Sequence, residues 1–414
     1  MKLFLLLAWV TISLEAQADV TGLFTRASVA GDLKTAERLL ASGLDPDSRD
    51  RFGRTLLINA ATLGNPEIAS LLLSYHANPN AKREPDGNRF ESTPLQCAAR
   101  AGNLEMARLL INAGADVNAK GKPGLTPLSF AVLSGRLDMI RLLIEEGAEV
   151  NTRDAEGVSP LDHAAWQGSL DMVAMLLAHG ALLDEPATQT GATPTNEAAY
   201  RGHKAVVQYL LQFHPNLEIP DKKGYGPLEN AIRMGKEDSA SLLLQAQPKL
   251  SGNALEMAIR RDESRLIREF LRRNDGAPAI LQSGFTPLGL AASNGAVNVT
   301  RLLLESGAEV DAASKDGATP LEEASLRGLA SITMLLLDHG ASVNRVNKDT
   351  GATALYVAAS FGRDAIVKLL LERGADPTLC GKNAKSALQA AVENGFSGVA
   401  GIIRQRTSRE GCRQ

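Results

Sequence analysis

A segment of about 33 residues recurs through almost the whole chain, and it constrains the fold more than any other feature of the sequence. In its clearest copy, residues 124–150, Thr126-Pro127-Leu128 begins a short helix, Gly135 ends it, and a second apolar helix runs on to Gly147. Proline suits a first helical position, and glycine suits the left-handed residue at a helix end. Because helices this short cannot bury their own apolar faces, each pair must pack against further copies of itself.

The copies follow one another in phase. Thr93 and Ser159 lie 33 residues before and after Thr126. Related triplets begin at Thr193, Gly226, Thr286, Thr319 and Thr353, and the glycines between the two helices are Gly31, Gly64, Gly102, Gly168, Gly202, Gly235, Gly295, Gly328, Gly362 and Gly395. This phase predicts about twelve units from Gly22 to Ile403, and therefore a solenoid rather than one globular core.

The T-P-L-x-x-A triplet, the mid-repeat glycine and the L-L-L-x-x-G-A ending together resemble the ankyrin repeat. The resemblance implies an all-α repeat solenoid, an ankyrin stack of helix-turn-helix units with short β-hairpin loops. One departure is consistent, because the family's histidine after T-P-L is replaced by Gln96, Ser129, Asp162, Asn196, Glu229, Glu322 or Gln389. In the family that histidine ties one hairpin to the next, so either other polar groups do this here or the stack is looser.

The N-terminus differs from the repeats. Residues 1–18 have one early lysine, a short apolar run and an Ala16-Gln17-Ala18 ending, which is the pattern of a secretory signal peptide. We expect cleavage before Asp19 and a secreted or periplasmic mature protein. The alternative is a frayed apolar cap on the first repeat. Beyond this run no apolar stretch is long enough to predict a membrane span.

Two irregularities divide the array. Residues 82–91 form an insertion, which we predict to be a projecting hairpin or a neutral surface loop. Residues 248–253 shorten the eighth unit, and Asp262 replaces its mid-repeat glycine. We therefore predict repeats one to seven in residues 19–247, a degenerate eighth repeat with four more in residues 248–403, and a polar basic tail in residues 404–414. A tolerated deletion that leaves the array undivided is the alternative.

The sequence contains no strong catalytic or metal-binding motif. Cys97 is predicted to be buried, whereas Cys380 and Cys412 flank the last repeat and either pair in an oxidising compartment or remain thiols. His163 beside Asp162 resembles a base with its orienting acid, but polar residues at this point of the repeat usually link neighbouring units. We predict no enzyme activity, no cofactor and no metal. The net charge of −3 gives no reason to expect a nucleic-acid partner.

The resemblance implies a scaffold that binds a protein partner through its concave surface. An exported effector acting in another cell is one alternative, and a hydrolase with a site in the groove is another. Transferring the family's partner-facing positions unit by unit gives Trp166, Tyr200, Arg201, Lys222, Lys223, Tyr225, Arg233, Met234, Arg260, Arg261, Phe285 and Phe361. Tryptophan, tyrosine and arginine dominate binding hot spots, and the cations among these residues predict an acidic partner. Alternatively, Glu229, Glu256, Asp262 and Glu263 neutralise those cations locally.

Overall fold

The computed structural model describes residues 20–84, 92–246, 252–272, 278–381 and 385–407. Several sequence predictions concern residues outside these ranges: the signal peptide with its cleavage site, most of the 82–91 insertion, most of the shortened stretch at 248–253, Cys412, and most of the tail. Within these ranges the chain is helical and contains no strand, with isolated antiparallel bridges at Arg49–Thr55 and Cys380–Ser386. The predicted all-helical repeat solenoid is confirmed.

The chain falls into two compact units, residues 1–227 and residues 228–414. In the N-terminal unit the helices follow one another in pairs, and the two members of a pair pack together. They are α1 (20–30), α2 (Leu33–Ala41), α3 (Leu56–Leu63), α4 (Pro66–Ser74), α5 (Pro94–Ala101), α6 (Leu104–Asn112), α7 (Pro127–Leu133), α8 (Leu137–Glu145), α9 (Pro160–Gln167), α10 (Leu170–Ala178), α11 (Pro194–Arg201) and α12 (Lys204–Leu210), which continues as a 3-10 turn over Leu211–Phe213.

The C-terminal unit repeats the pattern, and its first helix begins at the last residue of the preceding unit. Its helices are α13 (Pro227–Arg233), α14 (Glu237–Ala246), α15 (Gly252–Arg260), α16 (Ser264–Arg272), α17 (Pro287–Asn294), α18 (Val297–Glu305), α19 (Pro320–Arg327), α20 (Ala330–Asp338), α21 (Ala354–Ser360), α22 (Asp364–Glu372), α23 (Ala387–Glu393) and α24 (Ser397–Arg404). The degenerate eighth repeat is therefore a complete helix pair, α15 and α16. The division into residues 19–247 and 248–403 stays a prediction about how the array unfolds.

The repeated triplet begins the first helix of a pair as expected. Thr126 has extended backbone, and its hydroxyl accepts the Ser129 N–H at 3.2 Å, which satisfies one of the free amides at the helix start. At Gly102 the backbone is left-handed, with φ +76°, and an added Cβ would lie 2.8 Å from Cδ of Arg136 in the next repeat. This glycine therefore serves both the helix end and the close approach of its neighbour.

The core consists of thin layers of alanine and leucine. Ala131 is fully buried, as are Ile140 and Leu143 on the second helix of the same repeat. Small residues on the first helices let neighbouring repeats approach, while leucines of the second helices fill the remaining space. The low aromatic content of 4% is consistent with such layers.

Polar groups do link successive repeats where the family has its histidine. The Gln96 side-chain amide donates to the carbonyls of Ala119 and Leu125, at 2.7 and 2.9 Å. The Asn196 amide donates to Ile219 at 3.2 Å. In the eighth repeat Glu256 stands at this position, and its Oε1 accepts the Ser283 N–H at 2.8 Å. The missing histidine is thus replaced by different chemistry from unit to unit.

Asp262 adopts the left-handed conformation, with φ +57°, that glycine has at this point in other repeats. Its carboxylate accepts the backbone N–H groups of Asn298 at 3.2 Å and Val299 at 2.7 Å. These amides lie in the first turn of α18, whose N-cap residue Ala296 makes no side-chain cap of its own. The aspartate therefore supplies a cap to the following repeat, and its charge suits a helix N-terminus.

Among the cysteines, Cys97 is free and buried, and Cys380 is disulfide-bonded. None of the described helices is long and apolar enough to cross a membrane. Over the same ranges, no group of three or more His, Cys, Asp or Glu side chains is arranged to hold a metal ion.

Candidate protein-binding surface

Trp166, Tyr200 and Arg201 form one cluster, which we call the aromatic cluster. Helices α9 and α11 end one residue after Trp166 and Tyr200, so both rings occupy the same point of successive first helices. The ring centroids lie 5.9 Å apart with an interplanar angle of 15°, a stacked arrangement. The guanidinium carbon of Arg201 lies 4.6 Å from the Trp166 ring centroid. Three residues predicted from the sequence to face a partner are thus in mutual contact.

The tryptophan is held in place and yet remains exposed. Its side chain keeps 42% of its surface accessible. Its main-chain carbonyl accepts a hydrogen bond from Nε2 of His203 at 2.9 Å, and the neighbouring Gln167 amide donates to the Val132 carbonyl at 3.1 Å. Stacking and these inter-repeat bonds restrain an apolar surface that the packing of the repeats does not bury.

Glu197 lies one turn before Arg201 on α11 and was not identified from the sequence. It is half-buried and forms no hydrogen bond or ion pair with any residue that the structure describes. Burial raises the pKa of Glu197 to about 7, and the negative charges of Asp162 and Asp221 add to this effect. The only sequence signal was its position, one residue after that of the family's missing histidine.

Asp162 and His163 do not pair in the way that the hydrolase alternative required. The Oδ2 atom of Asp162 accepts the Ser159 N–H at 2.8 Å and the Ser159 hydroxyl at 2.7 Å, which completes a capping box. His163 instead has its Nε2 atom 3.5 Å from Oδ2 of Asp154. Burial raises the pKa of Asp162 to about 6 and lowers the pKa of His163. Both residues therefore make these contacts within their own repeat.

Lys222, Lys223 and Tyr225 lie in the loop that precedes α13. Oδ1 of Asp221 accepts the backbone N–H groups of Lys223 at 2.8 Å and Tyr225 at 3.0 Å, and this turn positions the loop. The two lysine side chains are exposed and form no ion pair within the described part of the chain. Asp221 places a negative charge beside them that the sequence analysis had not weighed.

In the C-terminal unit the predicted cations have local partners. Arg260 lies 3.8 Å from Glu256, and Arg261 lies 3.3 Å from Glu263. The Arg233 guanidinium donates to the Asn230 side chain at 2.9 Å. The local neutralisation considered as an alternative is therefore present for the arginines at the end of α15.

The remaining predicted residues are dispersed in the C-terminal unit. Met234 follows α13 and is exposed. Phe285 precedes α17, and its carbonyl accepts the Leu281 N–H at 2.8 Å. Phe361 is the C-cap residue of α21 and has 52% of its surface accessible. No stacking or cation contact involving these aromatic rings is present among the described residues.

A family model for ankyrin repeats in three copies matches residues 24–121, 119–187, 181–254, 255–347, 313–380 and 344–407. The chain belongs to the ankyrin-repeat family. Ankyrin repeats suggest a protein-binding scaffold.

Among curated ankyrin-repeat proteins, the chain is similar to ankyrin repeat protein nuc-2 of Neurospora crassa, at 28% identity over 207 residues, which are 48% of this chain and 19% of the relative. It is also similar to human ankyrin repeat and SOCS box protein 16, at 31% identity over 197 residues, which are 44% of each chain. The chain thus spans less than half the length of either relative.

Proposed function

We propose that this ankyrin-repeat chain is an extracytoplasmic scaffold that binds a protein partner through the aromatic cluster. The observation that carries the proposal is Trp166, which is exposed and yet restrained by Tyr200, Arg201 and His203. A large aromatic surface that is already ordered loses little conformational freedom on binding, which is the property of hot-spot residues.

The test is a pull-down from the native extracytoplasmic fraction with immobilised wild-type chain and two variants. Trp166→Ala should lose the captured partner. Phe213→Ala is the matched control, because Phe213 is a comparably exposed aromatic at the end of a second helix, and it should retain the partner. Capture that survives Trp166→Ala would place the binding surface elsewhere, with the 82–91 insertion as the next candidate.

Two features support the extracytoplasmic location. Residues 1–18 have the composition of a signal peptide, and Cys380 is disulfide-bonded, a state that persists in oxidising compartments. N-terminal sequencing of the mature protein should begin at Asp19. Intact Met1 on soluble cytoplasmic protein would contradict this part of the proposal.

An acidic partner is a narrower proposal. Because Arg260 and Arg261 have carboxylate partners, it now depends more on Lys222 and Lys223. The double variant Arg260→Glu/Arg261→Glu tests how much these arginines contribute to affinity for the partner. A partner attracted by their charge would bind the variant less tightly, most of all at low salt. Unchanged affinity would restrict the acidic contact to the two lysines.

A further inference from the structure

Glu197 is an uncompensated charge next to the aromatic cluster. A carboxylate that loses hydration without gaining a hydrogen bond or an ion pair is unfavourable, and proteins normally provide a partner for it. Within the described residues of the N-terminal unit, Glu197 has no such partner. The nearest cation on its own helix is Arg201, at the spacing that permits an ion pair, but the guanidinium of Arg201 lies over the Trp166 ring instead.

The groups around Glu197 increase its negative field. Among charges acting on Glu197, that of Asp162 is the strongest, that of Asp221 is next, and the opposing charge of Arg201 is the weakest. His163, near Asp154 and Asp162, offers little compensation because burial lowers its pKa and favours the neutral ring. Glu197 therefore lies among negative charges and has no hydrogen-bond or ion-pair partner among the described residues, although the charge of Arg201 opposes its own and that of Arg153 opposes the charge of Asp162.

A second observation concerns Asp162 itself. Its side chain is only 2% exposed, and its Oδ1 atom has no hydrogen-bond partner, although Oδ2 is fully occupied by Ser159. Asp162 lies on α9, which packs against α11, and its charge acts on Glu197 more than any other.

We propose that the aromatic cluster and Glu197 together bind an arginine side chain presented by an apolar segment of the partner protein. A guanidinium offers several N–H donors in one plane, so it can satisfy Glu197 while its flat face contacts an aromatic ring. The exposed part of Trp166 provides the apolar contact for the residues flanking that arginine. This inference rests on the proposed protein-binding function and specifies its partner chemistry.

The test uses the mature chain from Asp19, in which Trp166 is the only tryptophan and reports binding by its fluorescence. If residues 1–18 are retained, Trp9→Phe serves the same purpose. The probes are short acetylated and amidated peptides with a central arginine, citrulline or glutamate between leucines. Citrulline has nearly the shape of arginine without its charge. At about pH 8 the arginine peptide should bind about tenfold more tightly than the citrulline peptide, as expected for a charge-assisted hydrogen bond, and the glutamate peptide should bind least.

Glu197→Gln should reduce this preference to about one while leaving the far-UV circular dichroism unchanged, because glutamine has the same shape. Glu105→Gln is the matched control, an exposed glutamate in the same unit, and it should keep the preference. Since the pKa of Glu197 is about 7, affinity for the arginine peptide should rise from about pH 6 to about pH 8 in the wild type and stay constant in Glu197→Gln.

Three results would overturn the inference: equal affinity for the arginine and citrulline peptides, a preference that survives Glu197→Gln, or no response to the arginine peptide at millimolar concentration. Tighter binding of the glutamate peptide would also do so and would favour the acidic partner. These results are distinguishable from failure of the proposed function, which is decided by whether Trp166→Ala loses the partner captured in the pull-down.

Discussion

Helices α11 and α15 carry the same local pattern and use it differently. Each has a glutamate four residues before an arginine at its end, Glu197 with Arg201 and Glu256 with Arg260. In α15 the two side chains approach to 3.8 Å, and Glu256 also holds the Ser283 amide. In α11 they do not pair, and Arg201 lies over the Trp166 ring of the preceding repeat instead. The two pairs also differ by one residue in register, since Glu256 occupies the family's histidine position and Glu197 follows it. The contact that a charged side chain makes therefore depends on its position in the repeat and on the neighbouring unit.

The largest expected effect concerns the aromatic partner of Arg201. Trp166→Ala should weaken binding of the captured partner by about 2–4 kcal/mol, as for a hot-spot tryptophan. Phe361→Ala, at an exposed aromatic with no ring contact among the described residues, should cost far less. Isothermal titration calorimetry with the purified partner measures both. Equal losses of binding free energy in the two variants would mean that the aromatic cluster is no more important for binding than an isolated exposed ring of the C-terminal unit.

The second prediction uses the buried carboxyls. The pKa values of Asp162 and Glu322 are raised to about 6 and that of Glu197 to about 7, in each case mainly by burial. The folded chain therefore binds more protons than the unfolded chain above the ordinary carboxyl pKa values. At about 1.4 kcal/mol per pKa unit, the three shifts set an upper bound of about 8 kcal/mol. Because solvent screens Glu197 and Glu322, which are partly exposed, we expect the free energy of unfolding to fall by about 1–3 kcal/mol as pH rises from about 4 to about 7.

Urea unfolding at several pH values measures this dependence. Combining Asp162→Asn with Glu197→Gln should flatten much of it, whereas Glu322→Gln alone should remove a smaller part. If the free energy of unfolding of the double variant depends on pH as in the wild type, Asp162 and Glu197 are not the source of that dependence. That result would also weaken the contrast between an unpaired Glu197 and a paired Glu256.

The third prediction concerns the paired glutamate. Glu256→Ala should lower the free energy of unfolding by about 1 kcal/mol, because the Ser283 amide loses its acceptor. Glu197→Ala should change stability little or increase it, since no hydrogen bond to a described residue is lost. Glu256→Gln, which keeps an acceptor oxygen, is the control. Urea unfolding would contradict the comparison if both alanine variants cost the same.

The smallest expected effect is the pairwise energy of each arginine contact. A double-mutant cycle with Trp166→Leu and Arg201→Met should give a coupling of about 0.5–1 kcal/mol, typical of a cation over an indole ring. The corresponding cycle with Glu256→Gln and Arg260→Met should give about 0.5 kcal/mol or less, since Arg260 is partly exposed. The reverse order would mean that the ion pair, not the ring, is the better partner.

The sequence was sufficient for the repeat architecture, because the helix starts and the inter-helix glycines recur in a fixed phase. The family register also placed Trp166, Tyr200 and Arg201 at the ends of first helices, and their role in binding stays a prediction. The sequence could not show which contacts the charged side chains make. Whether Arg260 attracts a partner or pairs with Glu256 depends on side-chain geometry, and spacing alone allows both.

Side-chain geometry also decides the surroundings of Glu197 and the contacts of Asp262, so the sequence could not predict them. The isolation of Glu197 is visible only when the position of Arg201 is known. Asp262 was interpreted as a defect because it replaces a glycine, and its contacts lie in a different repeat, about a full period further along the chain. Residues that touch across two repeats lie far apart in the sequence, so no local sequence pattern predicts their contact.

The Asp262 carboxylate has a consequence for how such an array can be rearranged. Where each repeat supplies the N-terminal caps of its own helices, repeats can be duplicated, deleted or exchanged without loss of a cap. Here the eighth unit supplies the group that the beginning of α18 lacks, so these two neighbours form a matched pair. Chimeras that separate them would leave an acidic residue in a conformation natural to glycine and a helix without its cap. Recombination of this chain should therefore keep repeats eight and nine together.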